Sequence, residues 1–161
     1  MNRIIFLFLV FNLSVSQLQG QSQFTSYTQE SNIITQSKLA LGLWEYYSRY
    51  HIDSLNIIGL DLLKKHRETQ DPFAKAVSYR LLGCYDVRTG SIERGLQLLN
   101  SSKSIFLNIG DEKLISEAYN EIGIAHLLLG DCQTARTHFE NSLIHGRESG
   151  RTGMSYMAEI N

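Results

Sequence analysis

Apolar residues recur at intervals of three and four along most of this chain, which is the spacing that places them on one side of an α-helix. The first such stretch runs from about Ser31 to Arg49, and the second runs from about Asp53 to Lys65. No stretch shows the strict alternation of apolar and polar residues that a half-buried strand requires. The pattern therefore predicts an all-α protein.

Four further complete helices are predicted, and each is bounded by residues that start or stop helices. Asp71-Pro72 opens the third helix, because aspartate caps a helix N-terminus and proline is tolerated in the first turn. Gly90 ends this helix, since glycine readily takes the backbone conformation that closes a helix. The remaining boundaries are marked in the same way, by Gly110, Asp111, Asp131 and Arg147.

Two segments of the chain share one pattern of residues at a spacing of forty. Gly83 and Gly123 each follow an aliphatic residue, and each has a tyrosine four residues before it and a glycine seven residues after it. The other matched positions are Gly95 with Ala135, Leu99 with Phe139, Ser102 with Ser142, and Gly110 with Gly150. A fixed period of this size indicates stacked helix pairs, each of which buries its apolar side against its neighbours.

This period divides the chain into units over residues 33–70, 71–110 and 111–150, followed by an incomplete fourth unit over residues 151–161. Residues 21–30 are polar and predict a loose lead-in, so we expect the repeat domain to cover residues 31–161. The first unit is traced through Leu41-Gly42, Ser54 and Ile58, at a spacing of 41.

The fourth unit has begun where the sequence stops. Ala158 stands forty residues after Ala118, and the last residues are apolar, whereas a helical repeat array normally finishes on a polar capping helix. We therefore expect the chain to be a fragment or truncated product whose natural continuation carries more repeats.

The first twenty residues have the composition of a secretory signal peptide. Arg3 precedes an unbroken apolar run from Ile4 to Phe11, and small and polar residues follow. The run is too short to cross a bilayer, which takes about 20 apolar residues. Residues 1–20 are thus predicted to be a signal peptide, and the protein is expected to be exported, either periplasmic or secreted.

The positions of the two cysteines bear on the state of the thiols, and the net charge bears on nucleic-acid binding. Cys84 and Cys132 lie in different predicted helices at non-equivalent places of the repeat, and we expect two buried, inert thiols. The formal charge of -1 and the pI near 6.5 argue against nucleic-acid binding through this region, which usually needs a concentrated basic surface.

The repeated residues resemble the tetratricopeptide repeat family. In that family a small residue follows an aliphatic one in the first helix, and an alanine and an aromatic residue follow in the second; Ile122-Gly123, Ala135 and Phe139 match this signature. Leu82-Gly83 with Gly95 and Leu99 match it again, although the proline that usually ends the second helix is missing from every unit. The forty-residue period is similar to the longer subtype seen in bacterial regulatory and signalling proteins. The resemblance implies a right-handed superhelical stack of antiparallel helix pairs, an α-solenoid, with Gly83, Gly123, Ala135 and Phe139 as packing residues.

The resemblance also implies a binding surface. Such repeats bind extended peptides or partner helices along a concave face lined by their first helices. The candidate partner-binding residues on that face are Tyr46, Tyr47, Arg80, Arg88 and Asn120. The arginines would bind a carboxylate through hydrogen bonds, and the tyrosines would contact the partner with an apolar ring and a polar hydroxyl. The aliphatic residues implied to lie there, among them Leu39, Leu43 and Leu127, are also explained by packing against neighbouring helices.

The sequence offers no catalytic motif, cofactor motif or metal motif. It has no G-x-S-x-G serine turn and no phosphate-binding G-x-x-x-x-G-K-[ST] loop. His138 and His145 share a helix face two turns apart, but no carboxylate or cysteine is expected to complete a metal site with them. We therefore expect neither an enzyme nor a metal or cofactor.

Taken with the resemblance, these features predict an exported, non-catalytic scaffold that binds a protein or peptide. In the resembling bacterial families, such a domain often forms the periplasmic sensory part of a sensor kinase or transcriptional regulator. The membrane would then be reached only through a span beyond the given sequence. The alternative is a free-standing exported adaptor for envelope protein assembly, and a third, more distant reading is a hydrolase with an unrecognised site.

Overall fold

The computed structural model describes residues 21–150, apart from the side chains at positions 45, 46 and 48–50. The predicted signal peptide and the incomplete fourth unit lie outside the described residues. Within residues 21–150 the chain forms seven helices and no strand, which confirms the all-α prediction.

The helices follow one another with short connections, and consecutive helices pack antiparallel. They are α1 (residues 21–29), α2 (Ile33–Tyr50), α3 (Ile52–Thr69), α4 (Pro72–Arg88), α5 (Ile92–Ile109), α6 (Glu112–Leu128) and α7 (Cys132–Glu148). The tightest pairs are α4 with α5 and α6 with α7, and these are the second and third predicted units.

The helix starts that the sequence predicts are built alike in these two units. The side chain of Asp71 accepts a hydrogen bond from the backbone N–H of Ala74 at 2.8 Å, and that of Asp111 accepts one from Leu114 at 3.0 Å. Each carboxylate thus satisfies one of the N–H groups that an α-helix leaves unpaired at its start.

The two glycines of the forty-residue pattern each lie close to the second helix of their hairpin. A Cβ atom on Gly83 would lie 2.8 Å from Cγ of Leu99 and 3.0 Å from the carbonyl oxygen of Gly95. A Cβ atom on Gly123 would lie 2.6 Å from Cε1 of Phe139. In both hairpins the bulky side chain of the second helix therefore occupies the space that the missing side chain leaves.

A hydrogen bond across each hairpin repeats at the same spacing. Ser102 Oγ on α5 donates to the backbone carbonyl of Ala76 on α4 at 2.8 Å. Ser142 Oγ on α7 donates to the carbonyl of Ser116 on α6, also at 2.8 Å. The forty-residue period is therefore present in contacts as well as in residue types.

The prediction that the first unit precedes the second by 41 residues, with Gly42 matching Gly83, is wrong, and the first unit lies forty residues before the second. Gly42 has open space where its Cβ would lie, so this residue does not let two helices approach. Gln70 ends α3 with φ 57°, and Gly110 and Gly150 stand forty and eighty residues later with φ 77° and 76°. The shared left-handed conformation sets the spacing of the first unit at forty.

The loose lead-in predicted for the segment after residue 20 is instead the helix α1. Tyr27 is buried, and its hydroxyl donates to Asp61 Oδ2 at 2.5 Å. Gln36 Nε2 donates to the carbonyl of Tyr27 at 2.9 Å, and the ring of Phe24 meets Tyr47 edge to face. These contacts hold α1 against α2 and α3, and they make it part of the folded domain.

One cluster of buried apolar residues extends from α1 to α6, and α7 adds the buried residues Ala135 and Phe139. Its fully buried members include Leu43, Leu55, Leu81, Leu99, Phe106, Ile115 and Ile122. No described helix combines the length and the apolar character that a membrane crossing needs.

The cysteines differ from the prediction in one respect. Cys84 is buried, as predicted, whereas Cys132 at the start of α7 is exposed. Both thiols are free. The prediction of two buried thiols is therefore wrong for Cys132, because the repeat places it on the solvent side of the first turn of α7.

Candidate functional site

The first helices of the three units lie next to one another, because α4 contacts α2 on one side and α6 on the other. Trp44, Cys84 and Ile124 occupy equivalent positions in these helices, forty residues apart. Polar and charged side chains gather around Trp44 and Cys84. We call this group the first-helix face; it consists of Trp44, Arg80, Cys84, Arg88, Glu117 and Glu121.

Two guanidinium groups of α4 pack over one indole of α2. The Cζ atom of Arg80 lies 5.0 Å from the centre of the Trp44 ring, and that of Arg88 lies 5.6 Å from it. A cation at this distance from an indole is attracted by the negative charge of the ring face. Trp44 therefore anchors both arginines and links the first unit to the second.

Arg80 is buried, although the sequence analysis treats it as a residue that reaches a partner. It is 2% exposed, and its Nη1 donates to Glu117 Oε2 at 2.6 Å. Burial alone lowers the pKa of the guanidinium, but the negative charge around it, chiefly on Glu117, raises that pKa above its ordinary value. In this conformation Arg80 joins α4 to α6.

Glu121 and Cys84 form the buried side of the same group. Burial raises the pKa of Glu121 above its ordinary value, and the positive charges of Arg80 and Arg88 oppose this only in part. Burial, followed by the charge of Glu121, raises the pKa of the Cys84 thiol well above its ordinary value. The thiol therefore stays protonated and unreactive at neutral pH.

Two buried donors on the first-helix face lack a hydrogen-bond acceptor among the described residues. They are Nε of Arg80 and Nε1 of Trp44. The sulfur of Cys84, which is only a weak acceptor, lies beside Nε1 of Trp44. A buried donor without an acceptor costs about 1–3 kcal/mol. The packing of this face therefore leaves two buried N–H groups without a strong hydrogen-bond acceptor.

The other predicted partner-binding residues are placed differently from one another. Arg88 is exposed at the end of α4, and Asn120 is half-buried on α6. Tyr47 is buried against α1 and stacks edge-on with His51 and Phe24. Tyr46 lies in α2, and its side chain is outside the described part of the structure.

The aliphatic residues that the family resemblance places on the concave face separate into two groups. Leu43 is fully buried and Leu39 is partly buried in the core, so packing accounts for both. Leu127 is exposed, and so is Leu128, which is 57% exposed and stands forty residues after Arg88. Arg88 near the end of α4 and Leu127 and Leu128 at the end of α6 are exposed, and we call these three residues the open rim.

A second cluster lies between α6 and α7, and the sequence analysis does not predict it. Tyr119 and His126 project from α6, and His138 and His145 project from α7. The rings of His126 and His138 stack with centres 5.3 Å apart, and those of Tyr119 and His145 stack at 5.4 Å. Tyr119 also contacts His138 at 5.8 Å, which joins the two stacks into one imidazole column.

Positive charge surrounds the middle of the imidazole column. Lys103 of α5 places its Nζ 4.7 Å from the centre of the Tyr119 ring. Burial, together with the positive charge of Lys103 and His126, lowers the pKa of His138. Its Nδ1 is buried and has no hydrogen-bond partner among the described residues. His138 therefore favours the neutral form in the folded protein.

The signal for this column was present in the sequence. Tyr119 and His126 are seven residues apart, and so are His138 and His145, a spacing that puts each pair on one side of its helix. The repeat predicts that these two helices pair. The spacing and the pairing together place the four rings at one interface.

The end of the imidazole column meets two carboxylates. His145 Nδ1 lies 2.6 Å from Glu112 Oε2 and 3.6 Å from Glu148 Oε2. The prediction that no carboxylate accompanies these histidines is therefore wrong for His145. Glu112 comes from the first turn of α6, 33 residues earlier in the chain, so inspection of the neighbouring sequence does not find it.

Two depressions in the described surface lie away from the first-helix face. One has a volume of about 410 Å³ between α3, α4 and α5, and another of about 480 Å³ lies near the other end of the same helices. Both are open to solvent, and their linings mix aliphatic, amide and basic side chains. Neither collects a set of acid, base and nucleophile.

Comparisons with protein-family models, with curated proteins and with solved structures gave no match. The geometry of the described residues therefore carries the functional argument.

Proposed function

We propose that this chain is a non-catalytic scaffold of tetratricopeptide-like repeats that binds a protein or peptide along the first-helix face. The observation that carries the proposal is the recurrence of the same contacts at a spacing of forty: the aspartate caps, the close approaches at Gly83 and Gly123, and the serine hydrogen bonds. Hairpins built alike and packed in sequence form an extended surface, which suits the docking of another chain.

The chemistry of the open rim favours a partner that is both apolar and acidic. Leu127 and Leu128 are exposed aliphatic side chains, and a docked apolar group would remove them from water. Arg88 is exposed next to Trp44 and can pair with a carboxylate. In this proposal Arg80 supports the surface from its buried side, because it packs on Trp44 and pairs with Glu117 of α6.

A site-specific photo-crosslinker tests this proposal in the cells that make the protein. We expect an adduct with a protein or peptide when the crosslinker replaces Leu128, and no such adduct when it replaces Ile57. Both residues are exposed aliphatic side chains, but Ile57 lies on α3, away from the rim. Equal labelling from the two positions, or labelling from neither, contradicts the proposal.

We further propose export and a sensory role, with the free-standing envelope adaptor as the alternative. The support is the signal-peptide pattern of residues 1–20 together with the family resemblance of the repeats. Mass spectrometry of the mature N-terminus tests export: removal of about twenty residues supports it, and an intact Met1 contradicts it. If the full gene product encodes an apolar span and an output module, the sensor is favoured over the adaptor.

A further inference from the structure

Three side chains at the start of α6 and the end of α7 bring together atoms of the kinds that bind metal ions. They are His145, Glu112 and Glu148, and one ligand atom from each lies within 4.8 Å of the others. A tetrahedral shell with metal–ligand bonds of about 2.0–2.1 Å separates its ligand atoms by about 3.3 Å. The 2.6 Å and 3.6 Å separations from His145 Nδ1 bracket that value, so small side-chain movements suffice.

The imidazole is held in position before any ion binds. The ring of His145 stacks on Tyr119 with an interplanar angle of 9°, and this fixes the side on which Nδ1 meets Glu112. Below it, Ser142 and Ser116 join the two helices through a hydrogen bond from each hydroxyl to the other's carbonyl. The two helices therefore hold the ligands at a constant spacing, which lowers the cost of ordering them around an ion.

The charges also favour a cation here. The helix dipoles at the site oppose each other, because His145 and Glu148 lie in the last turn of α7, where the dipole is negative, and Glu112 lies in the first turn of α6, where it is positive. The favourable charge therefore comes from the two carboxylates. Two carboxylates balance a doubly charged ion, and one imidazole nitrogen favours a transition metal over Mg²⁺ or Ca²⁺, which prefer oxygen ligands alone. Three protein ligands leave at least one coordination position for water.

We propose that Glu112, His145 and Glu148 bind one divalent transition-metal ion, with Zn²⁺ as the ion that this ligand set suits best. The ion would replace the His145–Glu112 hydrogen bond by two metal–ligand bonds and would join the ends of α6 and α7. The proposal does not depend on the partner-binding role of the first-helix face.

Isothermal titration of the full-length chain with Zn²⁺ tests the proposal. We expect one ion per chain, and we expect excess Mg²⁺ not to displace it. His145→Gln and Glu148→Gln should each weaken binding by more than about tenfold, since removal even of groups that only support a metal ligand costs that much. Glu148 is exposed, so this variant keeps its fold even if His145→Gln is destabilised.

Two matched variants exclude binding elsewhere. Glu140→Gln removes a carboxylate from the exposed side of α7, and Cys132→Ser removes the exposed thiol; both should bind Zn²⁺ as the original chain does. Absence of binding to the folded chain overturns the proposal. Undiminished binding by Glu148→Gln, or loss of binding in Cys132→Ser, overturns it as well.

Discussion

Arg80 of α4 donates a hydrogen bond to Glu117 of α6 at 2.6 Å, and this partly buried ion pair connects the two helices. Because the guanidinium also packs on Trp44 of α2, one side chain touches the first helices of all three units. The residue that the sequence analysis assigns to partner contact is therefore a structural centre of the first-helix face.

Arg80→Glu should destabilise the protein strongly. Reversal of the charge places a third carboxylate beside Glu117 and Glu121, and breaking a buried ion pair costs about 3–5 kcal/mol. Urea unfolding followed by circular dichroism measures the free energy of unfolding. Arg88→Glu, on the exposed end of the same helix, is the control and should cost much less. Equal losses from the two variants would show that Arg80 has no special structural role.

Gly123→Ala should destabilise the hairpin of α6 and α7, while Gly42→Ala should stabilise the protein. A methyl group on Gly123 would lie 2.6 Å from the Phe139 ring, and overpacking of this kind costs about 1–3 kcal/mol. Gly42 faces open space in the middle of α2, where alanine is favoured over glycine by about 1 kcal/mol. Thermal unfolding of both variants checks the pair, and a stabilised Gly123→Ala protein would contradict the close approach.

Arg94→Met should lower the thermal midpoint clearly more than Arg136→Met does. Both arginines are 68% exposed, but Arg94 pairs through two hydrogen bonds with Asp86, which is 1% exposed, whereas Arg136 pairs with the exposed Glu140. Loss of Arg94 leaves a buried carboxylate without its partner, and loss of Arg136 leaves a hydrated one. Scanning calorimetry on the two variants gives the comparison; similar midpoints would mean that Asp86 is hydrated.

Stability should fall as the pH drops below about 6.5, and His138 should contribute to that fall. The folded pKa of His138 is lowered by burial and by Lys103, so the unfolded chain takes up a proton that the folded chain resists. The contribution of His138 to the free energy of unfolding is therefore fully present above pH 6.5, and it is lost as the pH falls toward the pKa of His138 in the folded protein. Urea midpoints between neutral and mildly acidic pH should show this slope.

Variants around His138 separate its contribution from that of other groups. His138→Leu should flatten the slope, and Lys103→Met should reduce it, because the neighbouring positive charge opposes protonation. Lys113→Met removes an exposed lysine of α6 and should leave the slope unchanged. If the urea midpoint depends on pH to the same extent in all three variants, a group other than His138 causes the dependence.

The features that could be predicted from the sequence are those that each hairpin repeats within itself. Gly83 and Gly123 could be identified as packing residues because the same aliphatic, small and bulky positions recur forty residues later. The aspartate caps were predictable for the same reason, since a cap depends on only three or four neighbouring residues.

The features that could not be predicted depend on contacts between units. Arg80 is an ordinary exposed residue by type, and its burial requires Glu117 from the next unit and Trp44 from the previous one. Asp86, likewise an acidic residue expected at the surface, is buried because Arg94 of the next helix satisfies it. The helix α1 has a weak sequence signal, because only Phe24 and Tyr27 mark its apolar side.

The repeat architecture itself is tested most directly by an experimental structure of the full-length chain. The account predicts that the hairpin of α4 and α5 superposes on the hairpin of α6 and α7, with every residue falling on the one forty positions later, Gly83 on Gly123 and Ser102 on Ser142. A best superposition at another offset, or a structure in which these helices do not pair, would contradict it.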